Sequence, residues 1–336
     1  MADRTAPDGA AGRTVLVTVP RLASAGLALL RAAGCEVVFT SREGGVAEML
    51  RHLRELPVAA VISRTLPFRE EAFAACPTLR VVSRHGVGYD SVDVAAATRR
   101  GIPVLIAPAA NGQSVAELAV GLMLAAARGI PRQDAAIRAG QWDRAGSGLQ
   151  LSGRTLGLVG FGGIGRAVAR AALGLGMTVL AFDPMARPDP ALPVELVADL
   201  DTLLRRSHVV SLHCPLDART RGLIGAAQLA LMPPGGLLIN TARGGLVDEA
   251  ALLAALESGR LAGAGLDTFA AEPPAAGNGL RAHPAVVMTP HMGGSTDAAL
   301  DATASAAARH ALAVLRGEPV DPAVCVNPIT LKESVA

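Results

Sequence analysis

Gly160-Phe161-Gly162-Gly163-Ile164-Gly165 is a glycine-rich turn that follows the apolar run Thr155–Val159 and opens a helical stretch. In such a turn the first glycine permits a tight change from strand to helix. The second lets the backbone approach a pyrophosphate, and the third allows close packing of helix on strand. The N–H groups at the start of the helix favour a bound anion. This stretch therefore predicts a βαβ unit that binds a dinucleotide, within an α/β fold.

An acidic residue, Asp183, stands at the end of the next apolar run. A carboxylate at this place accepts hydrogen bonds from the ribose hydroxyls of NAD, and it would repel the additional phosphate of NADP. A glycine motif is weak evidence by itself in a chain with 37 glycines, but strand, turn, helix, strand and acid together are the context that the motif needs. We predict NAD as the cofactor, bound by Gly160, Gly162, Gly163, Ile164, Gly165 and Asp183.

The composition indicates a folded chain of about two domains, with 51% hydrophobic and 18% charged residues among 336. A net charge of +2 gives no electrostatic reason to expect nucleic acid or an anionic membrane as partner. The longest apolar stretch, Leu118–Ala127, is too short to span a bilayer. Met1–Arg13 is polar and lacks an apolar core, so we expect a loose tail rather than a signal peptide.

The cysteine and lysine content limits the kinds of metal site and catalytic mechanism that this protein can have. Cys35, Cys76, Cys214 and Cys325 are dispersed without metal-ligand spacing, which favours a reducing cytoplasm and predicts no bound metal. Lys332 is the only lysine, which excludes a phosphate-binding loop of the G-K-[ST] type and the dehydrogenases that use a catalytic lysine. Acid–base work is left to His, Asp, Glu or Cys.

Short β-rich runs alternate with helical stretches along the whole chain, which predicts parallel strands with crossover helices. The glycine turn follows a complete first α/β series, and a long final helix, about Asp297–Arg316, has room to return to that series. We therefore predict two doubly wound parallel-sheet domains, with a Rossmann NAD-binding domain inserted into a flavodoxin-like substrate domain. The predicted boundaries are a loose tail at 1–13, a substrate-binding domain at 14–110 and 297–336, and an NAD-binding domain at 111–296.

Three segments after the glycine turn each place a polar group behind an apolar strand: 240–245, 267–273 and 289–295. In an open parallel sheet the carboxyl ends of the strands line one crevice, so these segments can converge. Arg243 can hold a substrate carboxylate and polarise a carbonyl. His291 can donate a proton to the carbonyl oxygen, and Glu272 can bond the other ring nitrogen and orient the ring. Taken singly, Arg243 could form a structural ion pair, Glu272 could cap a loop and His291 could be a buried histidine. The order of the three behind a dinucleotide motif favours a catalytic role for them together.

The segments T-A-R-G-G-L-V-D (241–248), A-E-P (271–273) and P-H-M-G-G-S-T (290–296) resemble the signature of the D-isomer-specific 2-hydroxyacid dehydrogenase family. That family includes phosphoglycerate dehydrogenases, hydroxypyruvate and glyoxylate reductases, and formate dehydrogenase. The resemblance extends from about Val58 to Asn327. It implies that Arg243, Glu272 and His291 are the catalytic triad of an oxidoreductase acting on CH–OH groups. It also implies that further residues line the cofactor cleft: Cys214, Pro215, Thr241, Ala242, Asp267, Gly293 and Gly294.

Upstream, Arg84-His85-Gly86-Val87-Gly88 resembles the substrate loop of the family. Its glycines can expose successive backbone N–H groups as a nest for a carboxylate. The alternative is a tight strand-to-helix turn that needs glycine. Arg64 and Arg84 resemble arginines that contact the substrate phosphate in phosphoglycerate dehydrogenases, which would favour a dianionic substrate. Each could equally be a structural partner of Asp or Glu.

We accordingly expect an NAD-dependent enzyme that interconverts a 2-oxo acid and a D-2-hydroxy acid, with 3-phosphoglycerate and hydroxypyruvate or glyoxylate as candidate substrate types. Two alternatives stay open: a non-catalytic NAD-sensing corepressor of the same fold, and a formate dehydrogenase, which Arg64 and Arg84 disfavour because they suit a larger anion. The family resemblance also implies a homodimer that forms through the nucleotide domain, with the helix Ser114–Ala127 as part of the contact.

Overall fold

The computed structural model describes residues 13–108 and 110–327, so the predicted loose tail lies, apart from Arg13, outside the described residues. The described chain divides into two compact units. Unit 1 holds the described residues up to Asn111 and those from Thr296 onward, and unit 2 holds Gly112–Ser295.

Unit 1 contains a five-stranded parallel sheet in the order β2-β1-β3-β4-β5, which is the flavodoxin-like order. Its three central strands are buried throughout, as expected for a parallel sheet covered on both faces. The strands are β1 (Thr14–Val17), β2 (Glu36–Phe39), β3 (Val58–Ser63), β4 (Val81–Arg84) and β5 (Val104–Leu105). The helices that connect them are α1 (Ser24–Ala32), α2 (Gly45–Glu55), α3 (Glu70–Ala75) and α4 (Val94–Arg99).

Unit 2 contains a seven-stranded parallel sheet in the order β12-β11-β10-β9-β6-β7-β8. The strands are β6 (Thr155–Val159), β7 (Thr178–Phe182), β8 (Val194–Leu196), β9 (Val209–Leu212), β10 (Gly236–Asn240), β11 (Leu261–Leu266) and β12 (Val286–Met288). The helices are α5 (Gly112–Arg128), α6 (Ile130–Arg138), α7 (Gly163–Gly174), α8 (Leu200–Arg206), α9 (Ala226–Leu231) and α10 (Glu249–Glu257). Strand order reverses between β6 and β9, and such a switch point is where doubly wound sheets bind ligands. The predicted fold class is confirmed.

The last helix, α11 (Asp297–Arg316), belongs to unit 1 and packs against α1 and the strands β3 and β4. It begins where the Thr296 hydroxyl accepts the Ala299 N–H at 3.2 Å, and it ends at Gly317, whose φ of +70° suits glycine. Contact with α1 is close, because a Cβ at Gly26 would lie 2.5 Å from the Ala304 carbonyl oxygen.

Among the described residues no single helix has the length and apolar character to cross a bilayer. The bent pair α5 and α6 meets that criterion only when both helices are counted together.

Candidate active site

The glycine turn between β6 and α7 is shaped by two sterically required glycines. Gly160 has a φ of +98°, and a Cβ there would lie 2.7 Å from the backbone of His213 and Cys214. At Gly165 a Cβ would lie 2.3 Å from the Gly160 carbonyl oxygen. These two positions therefore need glycine for packing, as the motif predicts.

The middle glycines leave open space instead. No atom of the described residues lies within 4 Å of a Cβ built at Gly162 or Gly163, and Ile164 continues the first turn of α7. Within the same residues, no side chain caps the N-terminus of α7. An open backbone cradle at an uncapped helix start fits the pyrophosphate of NAD.

Asp183, directly after β7, ties the next strand to the glycine turn. One carboxylate oxygen accepts the Phe161 N–H at 2.8 Å and the other accepts the Met185 N–H at 2.9 Å. Because each carboxylate oxygen has further acceptor capacity, the side chain can still receive ribose hydroxyls. Its position and chemistry fit the adenosine ribose of NAD.

The three catalytic candidates lie on loops that follow the neighbouring strands β10, β11 and β12. Arg243 sits in a turn held by the buried Asn240, whose side chain accepts the Ala242 N–H at 3.0 Å and donates to the Arg243 carbonyl at 2.9 Å. A Cβ at Gly244 would lie 1.9 Å from the Phe269 carbonyl carbon. The loop of Arg243 thus packs directly on the loop that leads to Glu272.

Glu272 and His291 meet as a hydrogen-bonded pair. The distance from His291 Nδ1 to Glu272 Oε2 is 2.7 Å, and Glu272 Oε1 accepts the Phe269 N–H at 3.1 Å. Burial raises the pKa of Glu272, but the bond and charge of His291, the Phe269 N–H and the charge of Arg243 outweigh burial, so this pKa lies below its ordinary value. Since Nδ1 is engaged, proton exchange with a substrate falls to Nε2, on a side chain that is 41% exposed.

The backbone of His291 is held by the buried Asp267. The Asp267 carboxylate accepts the Thr289 hydroxyl at 2.5 Å and the N–H groups of Met292 and Gly293 at 2.8 Å each. The Asp267 carbonyl accepts the His291 N–H at 2.8 Å. His291 itself has a φ of +49°, a conformation that costs a non-glycine residue about 1–3 kcal/mol unless its surroundings enforce it.

The sequence analysis placed Asp267 in the cofactor cleft and missed its role as the anchor of the His291 loop. Glu249, at the start of α10, plays a comparable part for the other loop, because it accepts the Ala270 N–H and the Asn278 side-chain amide at 2.7 Å each. An acid directly after a buried strand was the available signal for Asp267. For Glu249 no local signal exists, since its partners lie in a distant loop.

The remaining cofactor candidates lie along the same carboxyl edge of the unit 2 sheet. Cys214 and Pro215 follow β9 beside the glycine turn; burial, with Asp183 and Asp217 adding to it, raises the pKa of the Cys214 thiol to about 11. Thr241 and Ala242 follow β10, and Gly293 and Gly294 follow His291. The buried Thr241 hydroxyl has no hydrogen-bond partner within the part of the chain that the structure describes.

The predicted substrate loop follows β4 in unit 1, and Arg84 supports it from within. Arg84 is 6% exposed; its Nε donates to the Gly88 carbonyl at 2.8 Å and its Nη1 to the Ser63 hydroxyl at 3.0 Å. Gly86 adopts a φ of +147°, which glycine tolerates, and Val87 lies between the two glycines. These contacts favour a supporting role for Arg84 within the loop.

Arg64 follows β3 and, with Arg84 and His85, forms what we call the cationic cluster. Burial lowers the pKa of Arg64, and Arg21 lowers it further. Burial and the charges of Arg64 and Arg84 lower the pKa of His85 to about 4. His85 is therefore neutral at neutral pH, and the positive charge of the cluster comes from its arginines.

Comparison with known proteins agrees with this geometry. A family profile described as "D-isomer specific 2-hydroxyacid dehydrogenase, NAD binding domain" matches residues 120–293. A D-3-phosphoglycerate dehydrogenase of Methanocaldococcus jannaschii is 43% identical over 81% of this chain and 52% of its own length. A hydroxypyruvate reductase of Thermotoga maritima is 44% identical over 78% of this chain and 85% of its own. The structure of a glyoxylate reductase from Paecilomyes thermophila, 32% identical, superposes with a TM-score of 0.83 and covers 94% of this chain and 98% of that one.

The chain belongs to the D-isomer-specific 2-hydroxyacid dehydrogenase family, and unit 2 carries the NAD-binding domain of that family. The chain spans about half the length of the phosphoglycerate dehydrogenase it matches.

Proposed function

We propose that this chain is an NAD-dependent oxidoreductase that interconverts a small 2-oxo acid and the corresponding D-2-hydroxy acid. The observation that carries the proposal is the 2.7 Å pair of His291 and Glu272 beside the charge of Arg243. All three residues stand on loops at the edge of the sheet that also carries the glycine turn. An acid–base group, its orienting carboxylate and a guanidinium form the minimal set for reducing a 2-oxo acid.

In this mechanism Arg243 binds the substrate carboxylate and polarises the neighbouring carbonyl through its planar fork. Bound NAD(H) supplies or accepts the hydride. His291 Nε2 donates a proton to the carbonyl oxygen during reduction and removes it during oxidation. Glu272 holds the ring through Nδ1 and stabilises its charged form. Asp267 keeps the loop of His291 in place.

Unit 1 is proposed to be the substrate-binding domain. The backbone N–H groups of the Gly86–Gly88 loop, which also contains Val87 and follows His85, can bind an anionic group of a substrate. Arg64 would attract a second anionic group at the far end of the substrate. A cationic cluster with a neutral histidine supports anionic 2-oxo acids, with phosphohydroxypyruvate ahead of hydroxypyruvate and glyoxylate.

The test is a substrate panel followed by NADH absorbance, with glyoxylate, hydroxypyruvate and phosphohydroxypyruvate offered to the purified chain, and with the chirality of the product determined. We expect NADH-dependent reduction to a D-2-hydroxy acid. Tight NADH binding without turnover of any acid would instead favour an NAD-sensing protein. Oxidation of formate, with no reduction of 2-oxo acids, would favour a formate dehydrogenase.

We also propose a homodimer, which forms through α6 and the stretch after it. No residue of α6 is buried, and Ile130, Ile137 and Trp142 are 53%, 52% and 79% exposed. In contrast, α5 buries its apolar face in the core of unit 2 and has less to offer a partner than its sequence suggests. Sedimentation of an Ile137→Glu variant should show a monomer where the parent chain shows a dimer.

The four free cysteines suit a reducing cytoplasm, which we propose as the location.

A further inference from the structure

Arg166, in the first turns of α7, contacts two separate segments of unit 2. Its Nη1 donates to Asp189 at 2.7 Å, and its Nη2 donates to the Arg187 carbonyl at 3.0 Å. Its guanidinium carbon also lies 4.4 Å from the centre of the Phe161 ring, within the glycine turn. One side chain thus joins the glycine turn to the loop after β7.

We call residues 183–189 the ribose loop. At its start, Asp183 accepts the Phe161 N–H at 2.8 Å, and at its end Asp189 pairs with Arg166. The loop is therefore fastened at one end to the glycine turn and at the other to the first turn of α7. The side chains of the Arg166–Asp189 pair are only 27% and 28% exposed, so solvent screens the pair less than it screens a surface ion pair.

We propose that Arg166 is a positioning residue for the cofactor, and that its pair with Asp189 holds Asp183 where it accepts the ribose hydroxyls and rejects a 2′-phosphate. This inference rests on the proposed binding of NAD and adds the residue that sustains the preference for NAD over NADP. The physical reason is that repulsion discriminates only if the carboxylate cannot move away. When the ribose loop is released at Asp189, the Met185 N–H that Asp183 accepts is held less firmly, so the carboxylate can move away from the 2′ position.

The experiment measures Kd values for NADH and NADPH by fluorescence titration, without any substrate. In Arg166→Gln and in Asp189→Asn we expect NADH to bind about threefold to fivefold more weakly, the loss of one partly buried ion pair. NADPH binding should stay unchanged or tighten, so the ratio of the two Kd values falls. The double variant should be no worse than either single variant, because both remove the same pair. Arg170→Gln is the matched control, since Arg170 is exposed on the same helix and its loss removes the same charge.

Asp189→Asn separates this role from a direct attraction between Arg166 and the cofactor phosphates. If Arg166 served as a phosphate ligand, freeing it from Asp189 would tighten NADH binding, and Arg166→Gln would weaken NADH and NADPH equally. Either result overturns the proposal, as does an unchanged Kd ratio in both variants. These titrations measure binding and not turnover, so they test the Arg166 proposal separately from the proposed function. If the chain reduces no 2-oxo acid but its variants lose selectivity for NADH, the dehydrogenase function is wrong and the Arg166 proposal is still supported.

Discussion

Two groups of residues in this molecule each place a histidine near arginine at the carboxyl end of a parallel sheet, but only one of them includes a carboxylate. The site formed by Arg243, Glu272 and His291 and the cationic cluster of Arg64, Arg84 and His85 both follow strands of parallel sheets at their carboxyl ends. His291 is 41% exposed and hydrogen-bonded to a carboxylate at 2.7 Å. His85 is partly buried between two arginines, and its pKa is lowered to about 4.

The difference teaches that the neighbours of an imidazole, not its place on the sheet, decide whether it can carry a proton. A carboxylate favours the charged ring, whereas burial beside guanidinium groups favours the neutral ring. Of these two histidines, only His291 is therefore proposed for acid–base work, whereas His85 is neutral at neutral pH in the free protein. The predictions below test this contrast.

The largest expected effect is that of replacing the two histidines separately. His291→Asn should lower kcat by about a hundredfold to ten-thousandfold, the usual contribution of a positioned acid–base group, while the Kd of NADH stays nearly constant. His85→Asn should change kcat far less and act mainly on KM. Steady-state kinetics and NADH titration measure both. Equal losses of kcat in the two variants would contradict the proposal that His291, and not His85, is the acid–base group.

The next effect is that of removing the carboxylate that distinguishes the two histidines. Glu272→Gln should lower kcat by about a hundredfold, because the ring loses its orienting partner and the charge that stabilises its protonated form. Steady-state kinetics with a 2-oxo acid measures this loss. Glu257→Gln, an exposed site on α10, is the control. An unchanged kcat in Glu272→Gln would contradict the role of the pair.

A third prediction concerns the anchor of the His291 loop. In Asp267→Asn an amide N–H must face a backbone N–H of Met292 or Gly293, so the loop loses its hold. We expect kcat to fall about tenfold, and Tm to fall by about 5 °C for the loss of one charged hydrogen bond. Asp248→Asn, the cap of α10, should change neither, because Asn caps helices as well as Asp. A normal kcat in Asp267→Asn would show that the loop keeps its shape unaided.

The fourth prediction tests the supporting role of Arg84. Arg84→Gln removes the bonds to Gly88 and Ser63, so the KM for 2-oxo acids should rise by roughly tenfold while the Kd of NADH stays constant. The measurement is KM beside NADH titration. A rise in KM only for phosphorylated acids would instead indicate direct contact with the phosphate.

The smallest effect is on stability against pH. Because the pKa of His85 is lowered in the folded chain, the unfolded chain binds a proton first as pH falls from about 6.5 to about 4. The unfolding free energy should therefore be constant above this window and decline within it. His213, lowered to about 4 by burial, adds to the decline. Chemical denaturation across this range should give a shallower decline for His85→Asn than for the parent chain.

Much of the candidate site could be predicted because it depends on local sequence. The glycine turn, Asp183 and strand β6, which spans the apolar run Thr155–Val159, follow from short patterns of small, apolar and acidic residues. Helix α6 buries no residue and strand β8 is three residues long, so neither has a strong signal in the sequence. A strand of three residues is too short to show the apolar alternation from which a strand is predicted.

The sequence by itself determined the alternation of parallel strands and crossover helices, the cofactor class and the three side chains proposed for catalysis, because periodicity and glycine placement act over a few residues. Only the tertiary structure decided which partner each charged group meets. Asp267 under the His291 loop, Arg84 turned to Ser63 and Gly88, and Arg166 joined to Asp189 bring together segments that lie apart in the chain. Electrostatic and hydrogen-bond energies depend on distance in space, so pairings of this kind have no counterpart in local sequence.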